Sequence, residues 1–178
     1  MLVDSTVKDF LAKVDGSDPV PGGGSIAALN GAIAAALAAM VAGLTVGKKG
    51  YEENEEQMQR IRTLAIRQEE EFLIDVDRDS EAYNKVFDCF RMPKSTEDEK
   101  SARSAAIQEA TRFAALVPMQ VARNAYELMV IIADVARLGN RNAVTDACVA
   151  MMSARSAVLG ALMNVRINLG TLKDKAFV

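Results

Sequence analysis

The segment Pro21-Gly22-Gly23-Gly24-Ser25 is the first stretch of the chain whose residue types suit ligand binding. Three consecutive glycines permit positive φ angles and allow a backbone to approach another group closely. Ser25 is expected at a helix N-terminus, where unpaired N–H groups attract an anion, a carbonyl or a polar heterocycle. A tight turn with Ser25 as the helix cap explains the same residues without a ligand. Both interpretations stay open on these residues alone.

Acidic residues on the predicted third helix are the second candidate. Asp79 and Tyr83 are one helical turn apart and therefore share a face. Tyr83 continues the apolar register of the helix, which places Asp79 toward the interior. Burial raises the pKa of a carboxyl group and suits it to exchange protons as an acid or a base. Asp75 and Asp77 are expected on a solvated acidic face instead.

The adjacent lysines Lys48 and Lys49 lie in the turn before Tyr51 and form a third candidate. Their interaction with the negative end of the preceding helix accounts for them structurally. They also form a small cationic clamp that would suit a carboxylate or an anionic tail.

The run Gly139-Asn140-Arg141-Asn142, with Asp146 one turn later, is the fourth candidate. Helix capping by Asn and the favourable placement of Asp in a first turn explain part of it. The same side chains also form a dense set of hydrogen-bond donors and acceptors for a ligand. Asn164 and Asn168 repeat the one-turn spacing, and amides on an apolar helix need partners on another helix or a ligand.

The composition restricts the chemistry that these residues can perform. The chain has no His, so a Ser-His-Asp triad and a zinc site that needs His are excluded. Acid–base chemistry then falls to Asp, Glu, Lys, Tyr or Cys. A net charge of −3 gives no footprint of nucleic-acid binding. Residues 1–4 lack the basic and apolar regions of a signal peptide, and we expect a cytoplasmic protein.

Helical periodicity dominates the chain, and no sustained strand alternation is present. We predict one all-α domain over residues 1–178, built as an up-and-down antiparallel bundle of about five helices, several of them very long. Pro118 is expected to kink or divide the fourth helix, and the third helix is expected to bend or to project from the bundle. The predicted helices cover residues 7–14, 24–47, 51–91, 95–138 and 142–169.

The second predicted helix carries no charge from Ile26 to Val46. Small residues recur on one of its faces and large apolar residues on another, so we expect it to be the buried centre of the domain. The run is long enough to span a bilayer. Its high Ala content, Asn30 and the lack of a basic flank favour a buried bundle helix, and we expect no membrane partner.

Four segments resemble the cyclodeaminase/cyclohydrolase family. They are "PGGGSIAALNGAIAAALAAMVAGLTVGKKGY", "DRDSEAY", "AALVPMQVA" and "GNRNAVTDA". The family includes the cyclodeaminase domain of formiminotransferase-cyclodeaminase and stand-alone methenyltetrahydrofolate cyclohydrolases. The resemblance covers nearly the whole chain, and the glycine loop with its following helix and lysine pair is its most specific part.

The resemblance implies an all-helical subunit that forms a homodimer and binds tetrahydrofolate or its polyglutamylated form in a cleft. It implies chemistry at the one-carbon bridge between N5 and N10, with no metal and no cofactor besides the folate substrate. Lys48, Lys49 and Arg141 would hold the glutamate tail, or Lys48 would assist catalysis. For the dimer interface we expect the small-residue face of the second helix and part of the fifth. The substrate-binding residues that we expect are Gly22, Gly23, Gly24, Ser25, Lys49, Tyr83, Asn140, Arg141 and Asn142.

The cyclohydrolase and cyclodeaminase reactions both fit the resemblance. Each passes through a tetrahedral carbon, and a group that accepts and returns protons is needed to form it and break it down. We assign that role to Asp79 or Asp146. The chain has no room for a formiminotransferase domain, which favours the cyclohydrolase, with formimidoyltetrahydrofolate cyclodeaminase as the alternative. A non-catalytic helical scaffold is the alternative of a different class.

Overall fold

The computed structural model describes residues 1–178 and consists of helices joined by turns. Short 3₁₀ turns at Glu52–Asn54 and Arg141–Ala143 precede the third and fifth helices. The predicted all-α class with five helices is confirmed. The helices are α1 Val7–Val14, α2 Gly23–Gly43, α3 Glu55–Phe90, α4 Glu97–Leu138 and α5 Val144–Leu169.

Helices α2 to α5 form an antiparallel four-helix bundle. Helix α2 packs mainly on α3 and α5, and α4 packs on the same two helices from the other side. Phe10 of α1 is buried at the edge of the main core. Tight turns join α2 to α3 and α4 to α5, so that the end of α2, the start of α3 and the start of α5 meet at one end of the bundle. Gly47 and Gly50 give the first of these turns its positive φ angles of 71° and 88°.

Helix α2 is buried on one face only, which corrects the expectation that it lies at the centre on all sides. Its small residues pack inside the bundle, and Gly31 leaves so little space that an added Cβ would lie 2.6 Å from the Phe72 ring. On the opposite face Ile33, Met40 and Leu44 stay 42 to 50% exposed. The small-residue face is occupied by α3 and α5, and nothing in the chain covers the large residues.

Helix α5 has a comparable outward stripe beside α2. We call the two stripes together the outer apolar surface, and it consists of Ile33, Met40, Leu44, Val149, Met152, Leu159, Met163 and Ile167. The expectation that the small-residue face of α2 forms a dimer interface is therefore wrong, because Ala28, Ala35 and Ala38 on that face are fully buried within the chain.

Both α2 and α5 are long and apolar enough to cross a membrane by length and hydropathy alone. The apolar window of α2 is 56% buried within the bundle, as in the core helix of a helical bundle, and that of α5 is 28% buried. Most of the exposed large apolar residues of α5 belong to the outer apolar surface, and Val144 and Leu162 are exposed outside it.

The helices differ in length, and this difference creates a step in the bundle. Asp79 lies beside the first turn of α2, so the last eleven residues of α3 extend about 16 Å beyond that turn. The expected projecting end is therefore present. We call the extension, residues 80–90 with residues 97–113 of α4, the arm. Helix α4 runs without interruption through the buried Pro118, so the proline does not divide it.

Candidate active site

The glycine loop serves close packing rather than an unusual backbone conformation. None of Gly22, Gly23 and Gly24 has a positive φ. A Cβ on Gly24 would lie 2.1 Å from Asp79 Oδ1, and a Cβ on Gly23 would lie 3.2 Å from Asn164 Nδ2. The two glycines thus allow the first turn of α2 to contact side chains of both α3 and α5.

Ser25 holds the carboxyl group of Asp79 from the start of α2. Its hydroxyl is completely buried, donates to Asp79 Oδ2 at 3.1 Å and lies 3.1 Å from Ser80 Oγ. Gly22 occupies the N-cap position and makes no side-chain hydrogen bond. Ser25 is therefore not the helix cap that a simple turn would need.

The environment of Asp79 changes its proton affinity. Burial raises the pKa of this carboxyl group above its ordinary value, while hydrogen bonds from the Ser25 hydroxyl and backbone N–H lower it in part. The predicted inward position of Asp79 is confirmed. A carboxyl group with a raised pKa retains its proton at higher pH than an ordinary aspartate and can act as an acid or a base.

A cavity of about 280 Å³ opens at the step, between the glycine loop and the base of the arm. Asp79 and Tyr83 line it from α3, and Asn164, Ile167 and Asn168 line it from α5. Its volume is slightly below the range of roughly 300–1,000 Å³ for small-molecule sites. Asn168 donates to the Ala114 carbonyl at 2.8 Å and so pairs with another helix, as its sequence position suggested.

The residues of the third and fourth candidates meet at the opposite end of the bundle. The backbone N–H of Arg141 donates to the Tyr51 hydroxyl at 3.0 Å. Asn140 is buried and bonds to Thr45, Leu44 and Asn142 at 2.8, 3.2 and 3.1 Å, so internal partners account for it without a ligand. Lys48 and Lys49 lie beside Glu52 and Glu55 in a shallow polar depression.

These two clusters do not form one cleft within a single chain. The glycine loop precedes α2 and the lysine pair follows it, and the 21 residues of α2 span about 30 Å. Asp146 lies in the first turn of α5, at the lysine end. The structure therefore unites the glycine loop, Asp79 and Tyr83, and separates them from Lys48, Asp146 and Arg141.

Asp75 and Asp77 are not on a solvated face, which corrects the sequence expectation. Asp75 is 2% exposed, and burial raises the pKa of its carboxyl group while the Arg78 guanidinium, 2.7 Å away, lowers it in part. Asp77 accepts the backbone N–H of Leu2 at 2.6 Å, because residues 1–3 pack against this part of α3.

Sequence reasoning missed Phe87, whose ring is stacked on that of Tyr83 next to the cavity. The signal was present, since Phe87 follows Tyr83 at the same four-residue spacing that links Tyr83 to Asp79. Ile167 was also missed as a lining residue, because its stretch of α5 carries no distinctive local pattern.

The raised pKa of Asp79 predicts how stability depends on pH. The native protein holds this proton to higher pH than the unfolded chain, so its free energy of unfolding falls as pH rises above the ordinary value of 3.8. Asp79→Asn keeps an acceptor for Ser25 and removes the buried charge. We expect the variant to be more stable than the wild type at pH 7 in urea unfolding, and to lose that advantage below about pH 4. Asp88→Asn, at an exposed position, is the control, and an equal gain there would contradict the assignment.

Comparison with known proteins supports one family over almost the whole chain. The sequence model of the formiminotransferase-cyclodeaminase family matches residues 6–178. A methenyltetrahydrofolate cyclohydrolase of Methylorubrum extorquens is 38% identical over 177 residues, which cover 99% of this chain and 85% of the relative. A formimidoyltransferase-cyclodeaminase of Mus musculus is 32% identical over 99% of this chain and 32% of its own length.

A solved structure gives the same result for the fold. The formiminotetrahydrofolate cyclodeaminase of Thermotoga maritima superposes with a TM-score of 0.88 at 33% identity, covering 99% of this chain and 84% of that one. The resemblance first noted in the glycine loop and the GNRN turn therefore extends to the whole sequence and to the complete bundle. The chain belongs to the formiminotransferase-cyclodeaminase family.

Proposed function

We propose that the protein is a methenyltetrahydrofolate cyclohydrolase, which adds water to 5,10-methenyltetrahydrofolate and yields 10-formyltetrahydrofolate. The observation that carries the proposal is the partly buried Asp79 carboxyl, held by Ser25 at the edge of a cavity of about 280 Å³. The 38% identity to a protein named for this activity supports the same reaction.

The chemistry needs a group that moves protons at one carbon atom. The bridging carbon of the substrate is already electrophilic, because two nitrogens share its positive charge. Ionised Asp79 accepts a proton as water adds to this carbon and forms a tetrahedral intermediate. The carboxyl then returns the proton to N5 as the C–N5 bond breaks. The proton of the new hydroxyl leaves to solvent, and the formyl group stays on N10.

The cyclodeaminase reaction is the second candidate, favoured by the likeness to the Thermotoga maritima structure. In that reaction N10 attacks the formimino carbon, and ammonia leaves from a tetrahedral carbon of the same kind. The role of Asp79 is unchanged, because a proton must leave N10 and another must reach the departing nitrogen. One site therefore suits both reactions, and the assay must distinguish them.

The loss of methenyltetrahydrofolate absorbance measures the proposed activity. We expect the wild type to accelerate this loss without ammonia, and Asp79→Asn to lower kcat by a factor of about 10² to 10⁴, as for a missing acid–base group. Turnover only in the presence of ammonia would favour the cyclodeaminase.

Folinic acid serves as the binding control, because a ligand stabilises the folded state that binds it. We expect it to raise the Tm of the wild type and of Asp79→Asn alike. A variant that binds folinic acid and keeps full turnover would exclude Asp79 as the proton carrier. A wild type that folinic acid does not stabilise would instead favour a scaffold.

We also propose that the protein is a homodimer joined through the outer apolar surface. Two adjacent helices expose aliphatic and Met side chains there, and large exposed patches of this kind mark interaction sites. A two-fold axis that crosses the middle of α2 pairs the helices of the two copies in opposite directions. The lysine end of each subunit then lies beside the glycine loop of the other.

This arrangement joins the two clusters that a single chain keeps apart. Lys48 and Arg141 of the partner subunit add positive charge beside the cavity that contains Asp79. Lys48 then takes the catalytic supporting role that the family resemblance implies, and each of the two sites uses residues of both subunits.

Complementation between inactive variants tests the shared site. Asp79→Asn and Lys48→Gln are each expected to be impaired, and subunit exchange between them leaves one intact site in every mixed dimer. An equal mixture should recover about a quarter of the wild-type activity, because half of the dimers are mixed. Exchange between Asp79→Asn and Ser25→Ala is the control and should recover none, since both changes affect the same end. No recovery in the first mixture would show that the sites are not shared.

A further inference from the structure

One face of α3 carries a series of side chains that starts at Asp79, continues along the arm and ends at Arg91, the residue that follows the last turn of α3. Asp79, Tyr83, Phe87 and Arg91 follow one another at intervals of four residues. Each interval advances about 6 Å along the helix. We call Tyr83, Phe87 and Arg91 the arm stripe.

The members of the arm stripe contact one another. The Tyr83 and Phe87 rings lie nearly parallel, with centroids 6.3 Å apart and an interplanar angle of 15°. The guanidinium carbon of Arg91 lies 4.4 Å from the centroid of the Phe87 ring. Tyr83 also lines the cavity beside Asp79. A continuous path of side chains therefore leads from the reacting carboxyl group to a cation.

The rings of Tyr83 and Phe87 are both exposed. Tyr83 and Phe87 are 39% and 45% exposed. Helix α2 begins at the level of Asp79, and α5 ends at Leu169, roughly 8 Å beyond that level, so α3 extends past both helices. Aromatic faces gain most when another ring covers them in an offset stack. The stripe thus has the properties of a surface on which a flat ring would be bound.

We propose that the arm stripe binds the aminobenzoyl-glutamate part of the tetrahydrofolate substrate. The rings of Tyr83 and Phe87 stack against the aminobenzoyl ring, and the Arg91 guanidinium binds a carboxylate of the first glutamate. This inference rests on the proposed folate function and specifies which direction the substrate takes from Asp79.

The order of groups along the substrate supports this direction. The aminobenzoyl ring is attached directly to N10, and the glutamate follows the ring through one amide bond. Asp79 must lie at the carbon between N5 and N10 to move its protons, so the ring falls next to Tyr83 and Phe87. The glutamate carboxylates then fall next to Arg91.

The charges along the stripe agree with the same order. Arg91 forms an exposed ion pair with Asp88 at 3.6 Å, with 69% and 72% of the two side chains exposed. Such pairs contribute little to stability, so a carboxylate that binds the guanidinium in two places displaces it easily. Within the chain Arg91 takes the role that the family resemblance gave to Lys48, Lys49 and Arg141, which lie at the far end of α2.

Dissociation constants for two ligands test the proposal. Folinic acid carries the glutamate, and 5-formyltetrahydropteroate is the same molecule without it. Arg91→Gln should weaken the binding of folinic acid about tenfold, as expected for one charge-assisted contact. It should leave the binding of 5-formyltetrahydropteroate unchanged. Arg60→Gln is the matched control, because Arg60 is also 69% exposed and pairs with Glu56 on α3 at 3.5 Å.

Phe87→Leu tests the ring contact separately. It keeps an apolar side chain on the arm and removes the stacking surface, so both ligands should bind about fivefold more weakly. Phe87→Leu should therefore weaken the binding of both ligands, whereas Arg91→Gln should weaken the binding of folinic acid alone. A general loss of structure would weaken both ligands in both variants.

The outcomes separate this proposal from the proposed function. If Arg91→Gln binds folinic acid as tightly as Arg60→Gln does, the arm stripe is not the tail site, although the folate function stands. Equal losses for both ligands in Arg91→Gln would also overturn the carboxylate contact. A wild type that binds neither ligand would overturn the folate function and this inference together.

Discussion

The contact between Gly24 and the Asp79 carboxyl determines the geometry of the whole site. There is no room for a Cβ at residue 24, since it would lie 2.1 Å from Asp79 Oδ1. Only because α2 begins so close to α3 does the Ser25 hydroxyl reach the carboxyl group and shield part of it from water. The raised pKa of Asp79 and the position of the cavity both follow from this approach. The proposed catalytic site thus depends on the lack of a side chain at Gly24 as well as on the side chains of Ser25 and Asp79.

The bundle supports that contact through its unequal helix lengths and its small residues. Alanine and glycine on the inner face of α2 let α3 and α5 pack closely around it, and the large residues remain on the outer apolar surface. Helix α2 begins at the level of Asp79 and α5 ends roughly 8 Å beyond it, whereas α3 and α4 continue further. The step between them provides one wall of the cavity and exposes the aromatic rings of the arm. The same sequence pattern therefore creates the pocket, the surface beside it and the proposed dimer interface.

Sequence reasoning was sufficient for the elements and for the principal carboxylate. Helical periodicity predicted the five helices, and the four-residue spacing of Asp79 and Tyr83 placed both on the side of α3 that lines the cavity. The separation of Lys48 from the glycine loop could also be predicted from the sequence, because the predicted second helix lies between them and spans the bundle. The burial of Asp75 and Asp77 could not be predicted from the sequence, because it depends on how other segments pack on α3. Leu2, for example, bonds to Asp77 although the two residues are 75 positions apart. The glycines allow close packing against Asp79. This role could not be predicted from local conformational preferences, because they do not show where Asp79 lies in the fold.

The pH dependence of kcat/KM for the hydrolysis of 5,10-methenyltetrahydrofolate tests the central claim most directly. As a base, Asp79 must be ionised, so activity should fall with decreasing pH through an apparent pKa above the ordinary aspartate value of 3.8. The residual activity of Asp79→Asn should lack this decline. Wild-type activity that stays constant down to the ordinary carboxyl range, or an unchanged decline in Asp79→Asn, would contradict a buried Asp79 as the proton carrier.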